Sequence, residues 1–266
     1  MSDQQTIDQI VGRICASKKY GSIRRETVAR IVSDCAIRYK GKQIEQQSRN
    51  ILHQMWGAYW ETRPDFKKLT ASVNQSLSSG SDIREVIRSL LLLHASTNER
   101  ISLLPEFYER IFSVTGTPDS IVDHACGLNP LSIVYMDLPK QATYTAYDID
   151  IEEVSFINDV LTLLNIPHVQ VYLGDVFDTP YTYADVVFMF KLLPLLEHQR
   201  KGSSLDVLKS QKCRHFVVSY PVKSIGGAEK GMAEFYTNQF TRLIENEKWH
   251  YTRILFASEL VFVVQK

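Results

Sequence analysis

Three aspartates close short apolar runs: Ser120-Ile-Val-Asp123, Tyr144-Thr-Ala-Tyr-Asp148 and Val169-Gln-Val-Tyr-Leu-Gly-Asp175. They stand 25 and 27 residues apart. Each gap is long enough for a helical crossover between parallel strands. Open α/β sheets bind ligands at the carboxyl ends of their strands, where the strand order switches. Acids gathered there suit a nucleoside with a ribose diol and an amino group, and no phosphate. Phosphate signals are correspondingly missing. The turn after the first run has only Gly127, where a dinucleotide site wants G-x-G-x-x-G, and no G-x-x-x-x-G-K-[ST] occurs. S-adenosylmethionine, with its sulfonium, ammonium and ribose diol, is the cofactor that fits. Asp148 is expected to accept from the ribose hydroxyls and Asp175 from the adenine amine. One such acid would mean little, because Asp often ends strands; three at crossover spacing favour the cofactor.

The elements that must hold these acids are legible in the hydrophobic pattern. Strands are expected over 121–125, 143–147, 169–173, 185–190 and 215–220, with an end pair near 249–256 and 259–265. The helix expected over 151–165 turns Val154, Ile157, Val160, Leu161 and Leu164 inward, and one over 230–244 does so through Met232, Phe235, Tyr236, Phe240 and Leu243. The first hundred residues are helical in pattern. Val28, Ile31, Val32, Cys35, Ala36 and Tyr39 share one face, and a second helix runs from about Lys42 to Tyr59. Asp65 and Asp82 are expected caps of the helices that follow. The fold class is thus α/β, a doubly wound sheet ending in a hairpin, with an N-terminal helical domain over residues 1–80. Residues 81–266 form the cofactor domain, of which 81–117 is a helical connection.

Composition excludes several classes. The 266 residues are 44% hydrophobic, and no apolar run reaches membrane-spanning length. No secretory signal opens the chain. Cys15, Cys35, Cys126 and Cys213 are scattered, without C-x-x-C, and read as reduced thiols. No H-E-x-x-H or other metal spacing appears among the seven histidines. A cytoplasmic protein without metal is expected. The formal net charge is zero, but residues 1–80 hold 13 Lys/Arg and 7 Asp/Glu. An excess of this kind suits either a polyanion partner or a solvated helical surface. Trp56, Tyr59 and Trp60 have base-stacking chemistry, but Trp56 and Tyr59 fall on or near the apolar face, where core packing is the simpler role.

Longer motifs add a resemblance. Ser17-Lys-Lys-Tyr20, Leu52-His-Gln-Met-Trp-Gly-Ala-Tyr59, His94-Ala-Ser-Thr-Asn-Glu-Arg100 and Ala125-Cys-Gly-Leu-Asn-Pro130 occur in order, followed by Phe190-Lys-Leu-Leu-Pro-Leu-Leu196, Ser219-Tyr-Pro-Val-Lys-Ser-Ile-Gly-Gly227 and Lys230-Gly-Met232. In order and spacing the chain resembles the aminoglycoside-resistance 16S rRNA methyltransferases, the Arm/Rmt family. His124 departs from the smaller residues usual before that turn.

The resemblance implies a Rossmann-like S-adenosylmethionine-dependent sheet and methylation of guanine N7 in the decoding-site helix, within the assembled 30S subunit. It also implies aminoglycoside resistance. N7 bears a lone pair and no proton, so no catalytic base is expected. The implied cofactor residues are His94, Ala95, Ser96 and Arg100, the last for the carboxylate; Ala125 and Gly127 by backbone; and Asp148, Asp175, Val176, Phe190 and Gln199. Candidate rRNA contacts are Lys18, Lys19, Arg24, Arg25 and Arg49, together with Lys223 and Lys230 bracketing a glycine-rich loop. Two rivals stand beside this reading. A small-molecule methyltransferase would not need the basic N-terminal segment, and a cofactor-binding RNA chaperone would not need all three of Arg100, Asp148 and Asp175.

Overall fold

The computed structural model describes residues 3–180, 182–222 and 231–266. Helices come first: α1 (Asp3–Cys15), α2 (Arg25–Arg38), α3 (Lys42–Met55), α4 (Phe66–Ser78), α5 (Ile83–Leu91), the short α6 (Ala95–Asn98) and α7 (Glu106–Thr115). Strands and crossovers then alternate through β1 (Ser120–His124), β2 (Thr143–Asp148), α8 (Ile151–Leu163), β3 (Val169–Leu173) and β4 (Ala184–Phe190). The chain continues with α9 (Leu193–Gln199), α10 (Ser203–Ser210), β5 (Cys213–Pro221), α11 (Met232–Leu243), β6 (His250–Leu255) and β7 (Glu259–Gln265).

Among the described residues the sheet has seven strands in the order β3-β2-β1-β4-β5-β7-β6. The first five are parallel, and β7 inserts antiparallel between β5 and β6. The inner strands are continuous Val/Ile/Phe runs because helices cover both faces. Strand order reverses between β1 and β4, which opens the ligand crevice at their carboxyl ends. The outer edge of β3 is closed by a side chain. Asn158, on α8, donates to the Val171 carbonyl at 2.7 Å and accepts from the Val171 N–H at 3.0 Å.

Local signals act as expected. Asp65 accepts from the Lys68 N–H and Asp82 from the Glu85 N–H, each closing an open helix end. Val28, Ile31, Val32 and Cys35 are buried, with Ala36 and Tyr39 partly so. Two elements differ. The second helix ends at Met55, not Tyr59: Trp56 leaves helical geometry and residues Gly57–Tyr59 form one tight 3-10 turn. On α11, Phe240 is buried but Phe235 is 59% exposed, because the helix rests on the sheet by a narrower stripe than its apolar residues suggest.

The helical segment is not a separate lobe. One apolar core runs from Ile10, Val28 and Leu52 through Phe107 to Ile121 and Phe188 on the sheet. A second core, with Val187, Met189, Phe216 and Phe262, packs the other face. Burying each such side chain contributes roughly 1.5–3 kcal/mol. Backbone bonds stitch the seam as well: Arg24 N–H donates to the Ile149 carbonyl at 2.8 Å, and Ile151 N–H to the Ser22 carbonyl at 2.9 Å.

Candidate cofactor-binding site

The turn after β1 is built on two residues with left-handed backbone, Ala125 (φ 53°) and Gly127 (φ 48°). Gly127 is required twice over. A Cβ there would be strained and would stand 2.8 Å from Cε1 of His94. Its N–H donates to Oδ2 of Asp148 at 2.9 Å, while the Ile149 and Asp150 N–H groups donate to Oδ1 at 2.7 and 3.3 Å. Burial pushes the Asp148 carboxyl up to about 6, against the pull of those amides.

A cleft opens here, at the β1/β4 switch point. His94, Ser96, Arg100, Ala125, Gly127, Asp148, Asp175, Val176, Phe190 and Gln199 all line it. Ala95 does not. It opens α6 with its side chain exposed, because only one face of that single turn meets the cleft. His94 lies flat on Tyr59, with ring centroids 5.3 Å apart, and edge-on to Trp60. Burial, then the nearby Lys191 and Arg100, push the His94 imidazole down to about 3 and keep it neutral. Its Nδ1 is buried without a hydrogen-bond partner among the described residues.

Arg100 sits differently from expectation. Its fork is already filled by the chain's own carboxylate: Nε donates to Glu259 Oε1 at 3.0 Å and Nη2 to Oε2 at 3.1 Å. Phe107 and Phe190 each lie 4.5 Å from the guanidinium. Burial works to raise the Glu259 carboxyl, but Arg100 and Lys191 beside it hold it below its usual value. Arg100 Nη1 donates to Asn129 Oδ1 at 2.8 Å, and Asn129 Nδ2 donates onward to Asp123 Oδ2 at 2.8 Å. Tyr144 also donates to that oxygen, at 2.7 Å. Asp123 lines the cleft, but one of its oxygens is committed to this buried chain, and burial pushes its carboxyl up to about 7. Arg100 itself lines the cleft, and its guanidinium has five N–H donors.

Sequence reasoning missed several wall residues. Met55, Trp56 and Tyr59 bring one wall from the N-terminal segment. Trp56 does both jobs, packing in the core and donating from Nε1 to Asp150 Oδ2 at 2.7 Å. Glu153, on the first turn of α8, lines the cleft at 1% exposure. Burial, then the neighbouring Asp148 and Asp150, push its carboxyl well above the ordinary value, and its Oε1 has no partner among the described residues. Arg30, on α2, reaches Asp175 Oδ2 at 2.7 Å. Only the helical position of Arg30 was visible in sequence; the partner lies 145 residues away. The departure at His124 is absorbed by packing: its Nε2 meets Gln211 Oε1 at 3.1 Å and its ring stacks over Tyr147.

The basic candidates divide. Lys18, Lys19 and Arg25 are exposed around the α1–α2 connection. Arg24 is not available in the same way: Nη1 holds both oxygens of Asp178, at 2.7 and 2.6 Å. Arg49 is half-buried against Glu45 on its own helix. Lys223 and Lys230 lie outside the described residues.

The donor set fits S-adenosylmethionine. Carboxylates stand at two strand ends, a cation stands across the cleft, and Gly127 leaves room that a side chain would fill. Sheet order, terminal hairpin and acid-lined cleft define a Rossmann-like methyltransferase. Solved structures agree. The crystal structure of 16S rRNA methyltransferase RmtF in complex with S-adenosyl-L-homocysteine superposes with a TM-score of 0.85 at 27% identity, covering 100% of this chain and 99% of that one. The 16S rRNA methylase RmtB gives 0.77 at 29% identity, covering 98% of each. The chain belongs to the ribosomal RNA methyltransferase (FmrO) family, whose model matches residues 16–263. A 16S rRNA (guanine(1405)-N(7))-methyltransferase of Frankia casuarinae is 32% identical over 272 residues, covering 100% of this chain and 95% of the relative.

Proposed function

We propose that this protein transfers a methyl group from S-adenosylmethionine to N7 of guanine 1405 of 16S rRNA, the reaction its relatives are named for. The observation that carries the reading is the cleft itself. Acids from β2 and β3 meet an arginine and a wall from the basic N-terminal segment at the sheet's switch point. Asp148 accepts the ribose hydroxyls, Asp175 and Gln199 face the adenine, and the spare N–H groups of Arg100 take the carboxylate. When bound, the cofactor supplies an electrophilic methyl group on sulfur. The chain's task is to align that carbon with a lone pair that needs no deprotonation, so positioning carries the catalysis. Tyr59 and His94, stacked at the cleft wall, exclude water from that line.

Residues 1–80 serve as the rRNA-docking domain, with Lys18, Lys19 and Arg25 as phosphate contacts that position without reading sequence. Residues 81–266 hold the cofactor, with one wall borrowed from the first segment. The substrate is the assembled 30S subunit in the cytoplasm, and the product resists aminoglycosides that the added methyl and positive charge obstruct. The test is reverse-transcription mapping of 16S rRNA, after borohydride reduction and aniline cleavage at N7-methylguanine, once purified 30S subunits have been incubated with protein and cofactor. A cofactor-dependent signal at the guanine is expected. Its absence from 30S subunits, or its appearance only on naked rRNA, overturns the substrate assignment.

A further inference from the structure

We propose that Arg30 is a positioning residue for base recognition: it fixes the amide orientation of Gln199 beside Asp175 and so selects adenine over hypoxanthine. The inference rests on the reading of Asp175 and Gln199 as the adenine end of the cleft. Arg30 comes from α2, in the N-terminal segment. Its Nη2 donates to Asp175 Oδ2 at 2.7 Å and to Gln199 Oε1 at 2.9 Å, and its Nε donates to the same Asp175 oxygen at 3.2 Å. Phe177 lies 4.3 Å from the guanidinium, and its N–H donates to Asp175 Oδ1 at 3.2 Å. Asp34, bonded to Arg200, stands 3.7 Å from Arg30 Nη1. The guanidinium therefore has one seat.

The consequence is chemical. A glutamine amide has an acceptor end and a donor end, and its neighbours decide which faces where. Arg30 carries only donors, so it holds Oε1 toward itself and leaves Nε2 as the end offered to the cleft. Asp175, also lining the cleft, offers an acceptor. An acceptor beside a donor matches the Watson–Crick edge of adenine, which presents an N6 amine donor and an N1 acceptor. Hypoxanthine presents the reverse, an O6 acceptor and an N1–H donor. Two-point reading of a base edge discriminates by about 5- to 150-fold. Without Arg30 the amide is free to turn over and the Gln199 half of the distinction is lost, even though Arg30 does not line the cleft.

The experiment compares affinities for S-adenosylhomocysteine and S-inosylhomocysteine by calorimetry, using the full chain. The parent is expected to prefer the adenosyl compound by about fivefold or more. Asp175→Asn and Gln199→Leu should each collapse that ratio; if neither does, the assignment of the adenine end fails, whatever Arg30 does. If they collapse it and Arg30→Met keeps the parent ratio, the proposal for Arg30 is overturned. Equal weakening toward both compounds overturns it too, because a merely structural role would act so. The expected result is a ratio at least about threefold below the parent's in Arg30→Met, with partial recovery in Arg30→Lys, whose ammonium can still donate to both partners. Should Arg30→Met fail to fold, Arg30→Leu carries no donor, suits a helix and is read by the same ratio.

Discussion

Asp148→Asn separates recognition from folding. In the free protein the Asp148 carboxyl rises from 3.8 to about 6 on burial. A raised folded value means stability is lost as pH rises from the unfolded value through about 6. At neutral pH the ionised carboxylate therefore costs the fold roughly 3 kcal/mol, at 1.36 kcal/mol per unit. The substitution removes that cost. It also turns an amide NH2 toward one of the two sets of backbone donors, either Gly127 N–H or those of Ile149 and Asp150. An orphaned donor costs about 1–3 kcal/mol. The two effects nearly cancel, so the melting temperature at pH 7.5 should move by only a few degrees. Cofactor binding has no such compensation. Losing a charged acceptor for the ribose removes about 1.5–3 kcal/mol, a 10- to 150-fold drop in affinity. Calorimetry with S-adenosylhomocysteine measures it. The parent's affinity should also fall as pH drops below about 6, where Asp148 takes up a proton, while the variant's stays flatter. A folded variant with parental affinity, or one that keeps the parent's acid decline, refutes the reasoning.

Glu153→Gln should stabilise the protein, and by more at pH 8 than at pH 5. The parent's carboxyl is raised well above 4.5, so its contribution is lost as pH climbs from that value toward the folded one; urea unfolding that gives equal gains at both pH values contradicts this. Removing residues 1–80 should abolish cofactor binding along with methylation. Met55, Trp56 and Tyr59 wall the cleft and Trp56 bonds buried Asp150, so a soluble truncated chain with parental affinity would disprove it. Neutralising Lys18, Lys19 and Arg25 should lower the log–log salt slope of 30S binding by about 0.7–0.9 per lost phosphate contact. Arg24→Ala, which breaks an internal pair with Asp178, should leave that slope in place and lower the melting temperature instead.

The sheet was legible because its strands are period-free apolar runs closed by Asp and Gly, a local signal. The same holds for the caps Asp65 and Asp82. Ten cleft residues were found through strand ends and motif resemblance. What stayed hidden is what depends on distant pairing. Nothing near Arg100 says that Glu259 will fill its fork, and nothing near Arg30 points to Asp175. Tyr59 was misread for a different reason. Its spacing continues the apolar face of α3, but the chain leaves the helix at Trp56 and swings that ring to the cleft. Exposed Phe235 shows the opposite error, where amphipathic spacing overstated how much of α11 the sheet covers.

The ion pair between Arg100 and Glu259 also sets an order of events during synthesis. The two residues are 159 positions apart, and Glu259 opens the last strand, which must slide between β5 and β6. At roughly 5–20 residues per second, a ribosome needs about 8–30 s to supply the second partner after the first. Until then a guanidinium destined for complete burial has no counter-charge, and the middle of the molecule has reason to stay open. The helices and first five strands can gather early, together with all the residues that line the cleft, before the final hairpin arrives. A nascent chain halted before residue 259 thus leaves Arg100 without its carboxylate, and β5 keeps an unfilled edge that a neighbouring nascent chain can occupy.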